Sequence, residues 1–378
     1  MVHEARALRL IALLWVAFIL LGNIPSAAMD YGLRGQASGW GSIEEMNGIW
    51  YGGLGAHYIP QLTIGQDAWD ENFLDLEISL EAFAWTKQGE RRDTAAVDLY
   101  RLKLRFATPR TETRIGLQQI NFGPAYLLRP LRWFDRLDAR DPLGTTEGVY
   151  ALNFKYVTPS NASLWLWGLY GNDDPKGNEM LPTVEDRPEG GGRLEIPVFG
   201  GEGAFTFHHR YVNGPEPFVA DFAEERFALD GRWDVLIGLW FEAALIHQRS
   251  SELPYTWRKL MTAGTDYTFG LGNGLHALLE HMAVVSSEDA QGWDQDSQMS
   301  GLSLSYPFGY ADRISAIPFY YWESREYSLY AAWEHYWESF MVNVSVSHRP
   351  DLEEGMGLPE SDYPGGGYGA RLLLMYNH

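Results

Sequence analysis

Cysteine is absent from the 378 residues, which excludes a disulfide framework, a thiolate-ligated metal and a thiol nucleophile. Basic residues are few: 29 Lys and Arg stand against 50 Asp and Glu, a formal net charge of −21. A field of that sign repels phosphate backbones, so nucleic acid is not an expected partner. Long apolar runs are few as well. The one present, Leu10 to Leu21, follows Arg6 and Arg9 and precedes Gly22, Pro25 and Ser26-Ala27-Ala28, the layout of a secretory signal peptide cut near Ala28. It is short for the ~20 residues of a spanning helix. The expected organisation is a signal peptide at 1–28 and one exported domain at 29–378. Without a second apolar run, such a chain can enter a membrane only as a closed β-barrel, whose backbone polar groups pair between strands.

What is abundant is alternation. Between Phe73 and Trp85, Leu74, Leu76, Ile78, Leu80, Ala82 and Ala84 alternate with Asp75, Glu77, Ser79 and Glu81. Successive strand side chains point to opposite faces, so this segment is a strand with one apolar and one carboxylate face. The pattern returns in Tyr100, Leu102, Leu104 and Phe106 against Arg101, Lys103 and Arg105, and in Val235, Ile237, Leu239, Phe241, Ala243 and Leu245 against Glu242 and Gln248. It returns again in Phe340, Val342, Val344 and Val346, and in Tyr368, Ala370, Leu372, Leu374 and Tyr376. Runs of ~10 residues fit tilted membrane strands.

These readings give an all-β, transmembrane antiparallel barrel of about eighteen strands, with sixteen as the alternative. Short links fall on one side, at 107–111, 158–161, 199–202, Asp230-Gly231, 272–274 and 307–310. Long ones fall on the other, at 123–146, 172–189, 212–221, 287–297 and 349–364, with the first two strands expected at 30–39 and 48–64. That asymmetry is how outer-membrane barrels are built, so the expected location is the outer membrane and the expected partner its lipid. Trp165, Trp167, Tyr170, Phe319, Tyr320, Tyr321, Trp322, Tyr336 and Trp337 lie near expected strand ends, as an interfacial belt or as packed strand aromatics.

If apolar faces meet lipid, charged faces line the lumen, because Arg or Lys at the bilayer midplane costs ~2–4 kcal/mol. The pore-lining candidates are Asp75, Glu77, Glu81, Arg101, Lys103, Arg105, Arg114 and Gln118. A hairpin centred near Gly89 would set Glu77 beside Arg101 and Asp75 beside Lys103, with Arg114 beside Arg105. The group is either a selectivity wall or an ion-pair network that stiffens the barrel. The longest outer link, 123–148, carries Leu127, Leu128, Leu131, Trp133, Phe134 and Leu137, which water would not favour. It is expected to fold inward, putting Arg129, Arg132, Asp135, Arg136, Asp138, Arg140 and Asp141 at a constriction; a cap over the barrel is the alternative.

The stretch Arg114-Ile-Gly116-Leu-Gln118-Gln-Ile120-Asn-Phe122-Gly123, then Arg129-Pro130, Trp133-Phe134-Asp135, Asp138 and Asp141-Pro142, resembles a segment of porin-like outer-membrane barrels of Gram-negative bacteria. Those commonly carry a G-R-Q-x-I-x-W-G strand before a loop with F-[ND]-x-x-D-P. Here Leu117 stands for the Arg and Phe122 for the Trp, and Asp141-Pro142 comes later. The resemblance implies a fold and a transport role, and no particular solute. The chain ends Tyr376-Asn377-His378, where such barrels usually end on an aromatic residue.

No G-x-S-x-G or H-E-x-x-H pattern occurs, and Gly270-Leu-Gly272-Asn-Gly274 is a hairpin turn between alternating strands. The expectation is a channel for small hydrophilic solutes, without catalysis, cofactor or metal, and with homo-oligomerisation left open. A plugged barrel that binds a surface component is the alternative. A barrel hydrolase would need a Ser–His pair converging at the membrane boundary.

Overall fold

The computed structural model describes residues 29–46, 48–67, 71–88, 94–215, 217–350 and 366–378. The 1–28 segment, the turn expected near Gly89 and most of the 349–364 link lie outside them. The strands are β1 (Met29–Met46), β2 (Ile49–Asp67), β3 (Phe73–Lys87), β4 (Thr94–Ala107), β5 (Thr111–Gln118) and β6 (Val149–Val157). They continue with β7 (Ser163–Leu169), β8 (Glu189–Val198), β9 (Gly201–Val212), β10 (Phe222–Asp234), β11 (Gly238–Arg249) and β12 (Trp257–Phe269). The last six are β13 (Leu275–Ser287), β14 (Gln295–Phe308), β15 (Asp312–Tyr321), β16 (Glu326–Tyr336), β17 (Phe340–Arg349) and β18 (Gly367–Asn377).

Sequence neighbours are sheet neighbours, every pairing is antiparallel, and β18 returns to β1 through Trp40↔Leu373 and Ser42↔Arg371. The count is eighteen, and the described residues contain no helix. A cylinder has no free edge, so its ladder satisfies the backbone without solvent. Period-two alternation decides the faces: on β11, Trp240, Glu242 and Ala244 point inward and are buried, while Leu239 and Phe241 stand exposed outside. On β3 and β4 the apolar residues opposite the charged face meet in pairs, Leu76↔Leu104 and Ile78↔Leu102, and here Leu74, Leu76, Leu102 and Leu104 are at most 7% exposed.

Three expectations are corrected. The short link expected at Asp230-Gly231 lies within β10, and the chain reverses at 235–237. Asp230 is held by Arg193 at 2.5 and 2.8 Å, and Gly231 leaves room for the Trp233 ring, which a Cβ there would meet at 2.6 Å. Tertiary pairing overrides local turn composition. The first hairpin is longer than expected, pairing Met29↔Gln66 through Met46↔Ile49, because its glycines let aromatic rings lie flat: Trp40 covers Gly55. In the aromatic set, Trp167 and Phe319 are buried inside the barrel, Trp165 and Tyr321 pack against the same core, and Tyr336 turns inward to Glu334. Strand parity, not closeness to a strand end, chooses the face.

Candidate functional site

The loop between β5 and β6, residues 119–148 (loop 3), fills much of the lumen. Its Leu128, Leu131, Trp133 and Phe134 are at most 2% exposed. They pack with Phe122 and with inward residues Trp167, Ala228, Ala244, Leu260, Met282, Met299, Ile317 and Phe319. Phe122 meets Trp133 edge-on at 5.6 Å and Phe134 meets Trp167 at 5.7 Å. Each such side chain removed from water contributes about 1.5–3 kcal/mol, so the loop's apolar composition is itself the reason it enters.

An irregular backbone inside a barrel needs partners for its N–H groups. Two inward carboxylates supply them. Glu242 accepts from the backbone of Ala125 (2.8 Å) and Leu131 (3.0 Å). Glu280 accepts from Tyr126 (2.7 Å), Leu127 (2.8 Å), Leu128 (2.6 Å) and the Trp240 indole (2.9 Å). Sequence reasoning missed both as anchors. The available signal was a single carboxylate at an inward position of an otherwise apolar strand.

The loop's own charges are tied locally. Arg129 pairs with Asp135 at 2.5 Å, Arg140 with Asp138 at 2.5 Å, and Asp141 accepts from the backbone of Leu143 and Thr145. Arg132 donates to Asn178 and Arg136 to the Pro175 carbonyl, which joins loop 3 to loop 4 (170–188). Burial acts to raise the pKa of Asp138, yet the hydrogen bonds from Arg140 hold it below its ordinary value. Burial, with Arg129 nearby, lowers that of Arg132.

The pore-lining candidates on β3–β5 form a ladder of pairs. Asp75 meets Arg105 at 2.6 Å, Glu77 meets Lys103 at 2.8 Å, and Glu112 joins Arg105 (3.4 Å) to Arg114 (2.5 Å). The expected Glu77–Arg101 and Asp75–Lys103 pairs do not form. A bulge after Ser79 inserts Tyr100 as an extra residue, so Ser79 faces Arg101 and Leu80 faces Leu99. The bulge also re-aims a side chain: Tyr100, expected among the outward residues, turns its hydroxyl to the Thr146 backbone. Arg101 donates to the Thr146 carbonyl at 2.6 Å and stacks on Tyr100. Arg105 and Arg114 are neighbours as expected. Glu81 pairs with His57 at 2.7 Å, and Gln118, buried, donates to the Ala151 carbonyl. With Glu81 on the same face, Arg101, Lys103, Arg105 and Arg114 are balanced by four carboxylates, Asp75, Glu77, Glu81 and Glu112.

A second charged group lies on β8–β10 under loop 4. Arg210 and Arg226 both reach Glu179 and Glu224, at 2.7 to 3.0 Å. Lys176 reaches Glu179 and Glu189, and His208 meets Glu189 at 3.1 Å. These side chains are at most 5% exposed, against 17–35% for Glu77, Lys103, Arg105, Glu112 and Arg114 of the ladder, where Asp75 alone is buried at 6%.

A Ser–His contact does occur on the outer surface, Ser300 Oγ to His281 Nδ1 at 2.9 Å, with the Trp322 indole donating to the same oxygen. Among the described residues no carboxylate pairs with the second ring nitrogen of His281, so the orienting member of a catalytic triad is missing.

No family model matches the chain, and no curated protein matches its sequence. Solved structures do. It is similar to Pseudomonas aeruginosa OccD3 (OpdP), with a TM-score of 0.58, 9% identity, and 92% of this chain and 91% of that one covered. Pseudomonas aeruginosa OccK5 (OpdH) gives 0.56 at 10% identity, covering 92% and 98%. An anion-selective porin from Comamonas acidovorans gives 0.53 at 9%, covering 93% and 100%. At these identities the likeness shows the fold, which is that of outer-membrane porins.

Proposed function

We propose that the chain is exported by its 1–28 segment and acts in the outer membrane as a passive channel for small hydrophilic solutes or ions. One observation carries this reading. Arg105, Arg114 and Glu112 face the inside of a closed barrel yet keep 25–35% of their side-chain surface open, so solvent reaches the β3–β5 wall. Polar solute moving there exchanges water for paired charges of both signs. The reading involves no cofactor and no catalysis. Lipid meets outward residues such as Leu239 and Phe241.

The plugged-barrel reading is favoured by a different observation. Loop 3 touches walls on opposite sides: Thr146 on Arg101 of β4, Arg140 over Phe319 of β15, and Leu143 against Met341, Leu373 and Met375 of β17 and β18. Planar-bilayer recording separates the two. Discrete current steps from the refolded barrel support a channel; a folded, silent barrel contradicts it.

A further inference from the structure

The short turns at the end opposite loop 3 are of two kinds. Thr108-Pro-Arg110 and Thr158-Pro-Ser-Asn161 are polar, and the left-handed residue of the second is Asn161 at φ 62°, a residue type that tolerates this conformation. From β8 to β15 four consecutive turns instead carry apolar tips: Phe199, Val235-Leu236-Ile237, Leu271 and Tyr310. Phe199 is 97% exposed and Leu236 92%. Phe199 also occupies a left-handed conformation at φ 51°, followed by Gly200 at 79°, where a two-residue hairpin favours Asn-Gly. In water, an aromatic ring there adds strain and exposed apolar surface and returns nothing.

At Phe199, 235–237 and Leu271 the outward band runs into the tips, whereas beside Tyr310 the outer face carries Asp312, which accepts from Trp333 and meets His335. Ile196 precedes the Phe199 turn, Trp233 stacks on Phe241 at 6.1 Å around the 235–237 turn, and Phe269 precedes Leu271. Trp233 donates its indole N–H to the Val198 carbonyl, so the ring lies flat against the barrel with the apolar tips beyond it.

We propose that this half of the rim is a lipid-binding edge: the β8–β15 turns sit in the headgroup and upper acyl region of the adjacent phospholipid leaflet, while the 108–110 and 158–161 turns stand in water. The inference rests on the membrane-barrel reading and adds an uneven depth of embedding to it. Lipid is the occupant because the tips at Phe199, 235–237 and Leu271 continue the lipid-facing band.

The absence of cysteine lets single introduced thiols report alone. Leu236→Cys and Phe199→Cys, each carrying an environment-sensitive fluorophore, are placed in phosphatidylcholine vesicles beside Leu239→Cys on the outer band and Ser160→Cys on a polar turn. Quenching by brominated lipid and by aqueous iodide is read for each. The expected result is loss of signal to brominated lipid at 236, 199 and 239, and to iodide at 160. Loss to iodide at 236 and 199 with lipid quenching intact at 239 overturns the edge alone. Lipid quenching at 160 as well overturns the unevenness. Iodide quenching at 239 overturns the barrel reading beneath it.

Discussion

The β3–β5 ladder and the β8–β10 cluster use the same chemistry, arginine or lysine against carboxylate, on the same inward face. They differ in water. Exposed pairs are screened and contribute about 0–1 kcal/mol each, so the ladder leaves the fold largely indifferent and remains open to a passing ion. Buried pairs owe their stability to complete satisfaction, and removing one partner costs about 3–5 kcal/mol. The cluster binds loop 4 to the wall, and loop 4 binds loop 3 through Asn178. One region is therefore fit for permeation and the other for holding the obstruction in place.

The sharpest way to break this comparison is Arg226→Ala, which removes one of the two arginines shared by Glu179 and Glu224 and leaves Arg210 alone with both. It should destabilise the barrel by about 3–5 kcal/mol in denaturant titration, against at most about 1 kcal/mol for Arg114→Ala in the exposed Arg114–Glu112 pair; equal losses would erase the distinction. Next comes Glu280→Ala, which leaves the N–H groups of Tyr126, Leu127 and Leu128 without an acceptor. A buried unsatisfied donor costs about 1–3 kcal/mol, so loop 3 should loosen and single-channel conductance rise. Replacing Arg101, Lys103 and Arg105 together by Ala should shift the reversal potential towards cations, with conductance little changed; an unmoved potential would make the ladder purely structural.

The smallest effect concerns acid. Because Asp138 titrates below its ordinary value of 3.8, its pairing with Arg140 contributes fully above that value and is lost as pH falls through the depressed one. Protection factors of the loop 3 amides, with the intrinsic exchange rate at each pH divided out, should begin to fall only below about pH 4.

Much of the fold was legible because alternation runs unbroken through most strands: on β3 the faces of Leu74 to Leu80 and of Asp75 to Glu81 follow from parity alone. The inward turn of loop 3 was legible from its leucines and Trp133. What stayed hidden depends on contacts between distant strands. The Ser79 bulge shifts the Asp75 and Glu77 partners, and Arg193 keeps Asp230 out of a turn. The backbone-holding task of Glu242 and Glu280 appears only once loop 3 lies across β11 and β13. The buried cluster was missed because Lys176 and Glu179 look like solvated loop charges until loop 4 packs on Arg210 and Arg226.

The central claim is that the water path follows the ladder and avoids the cluster. Lys103→Cys and Thr206→Cys, the latter at a fully buried inward position, can be tested during recording with a charged, thiol-specific methanethiosulfonate. The account predicts a stepwise fall in current for Lys103→Cys and none for Thr206→Cys. A block at Thr206→Cys with Lys103→Cys unaffected would put the path along β9 and contradict it.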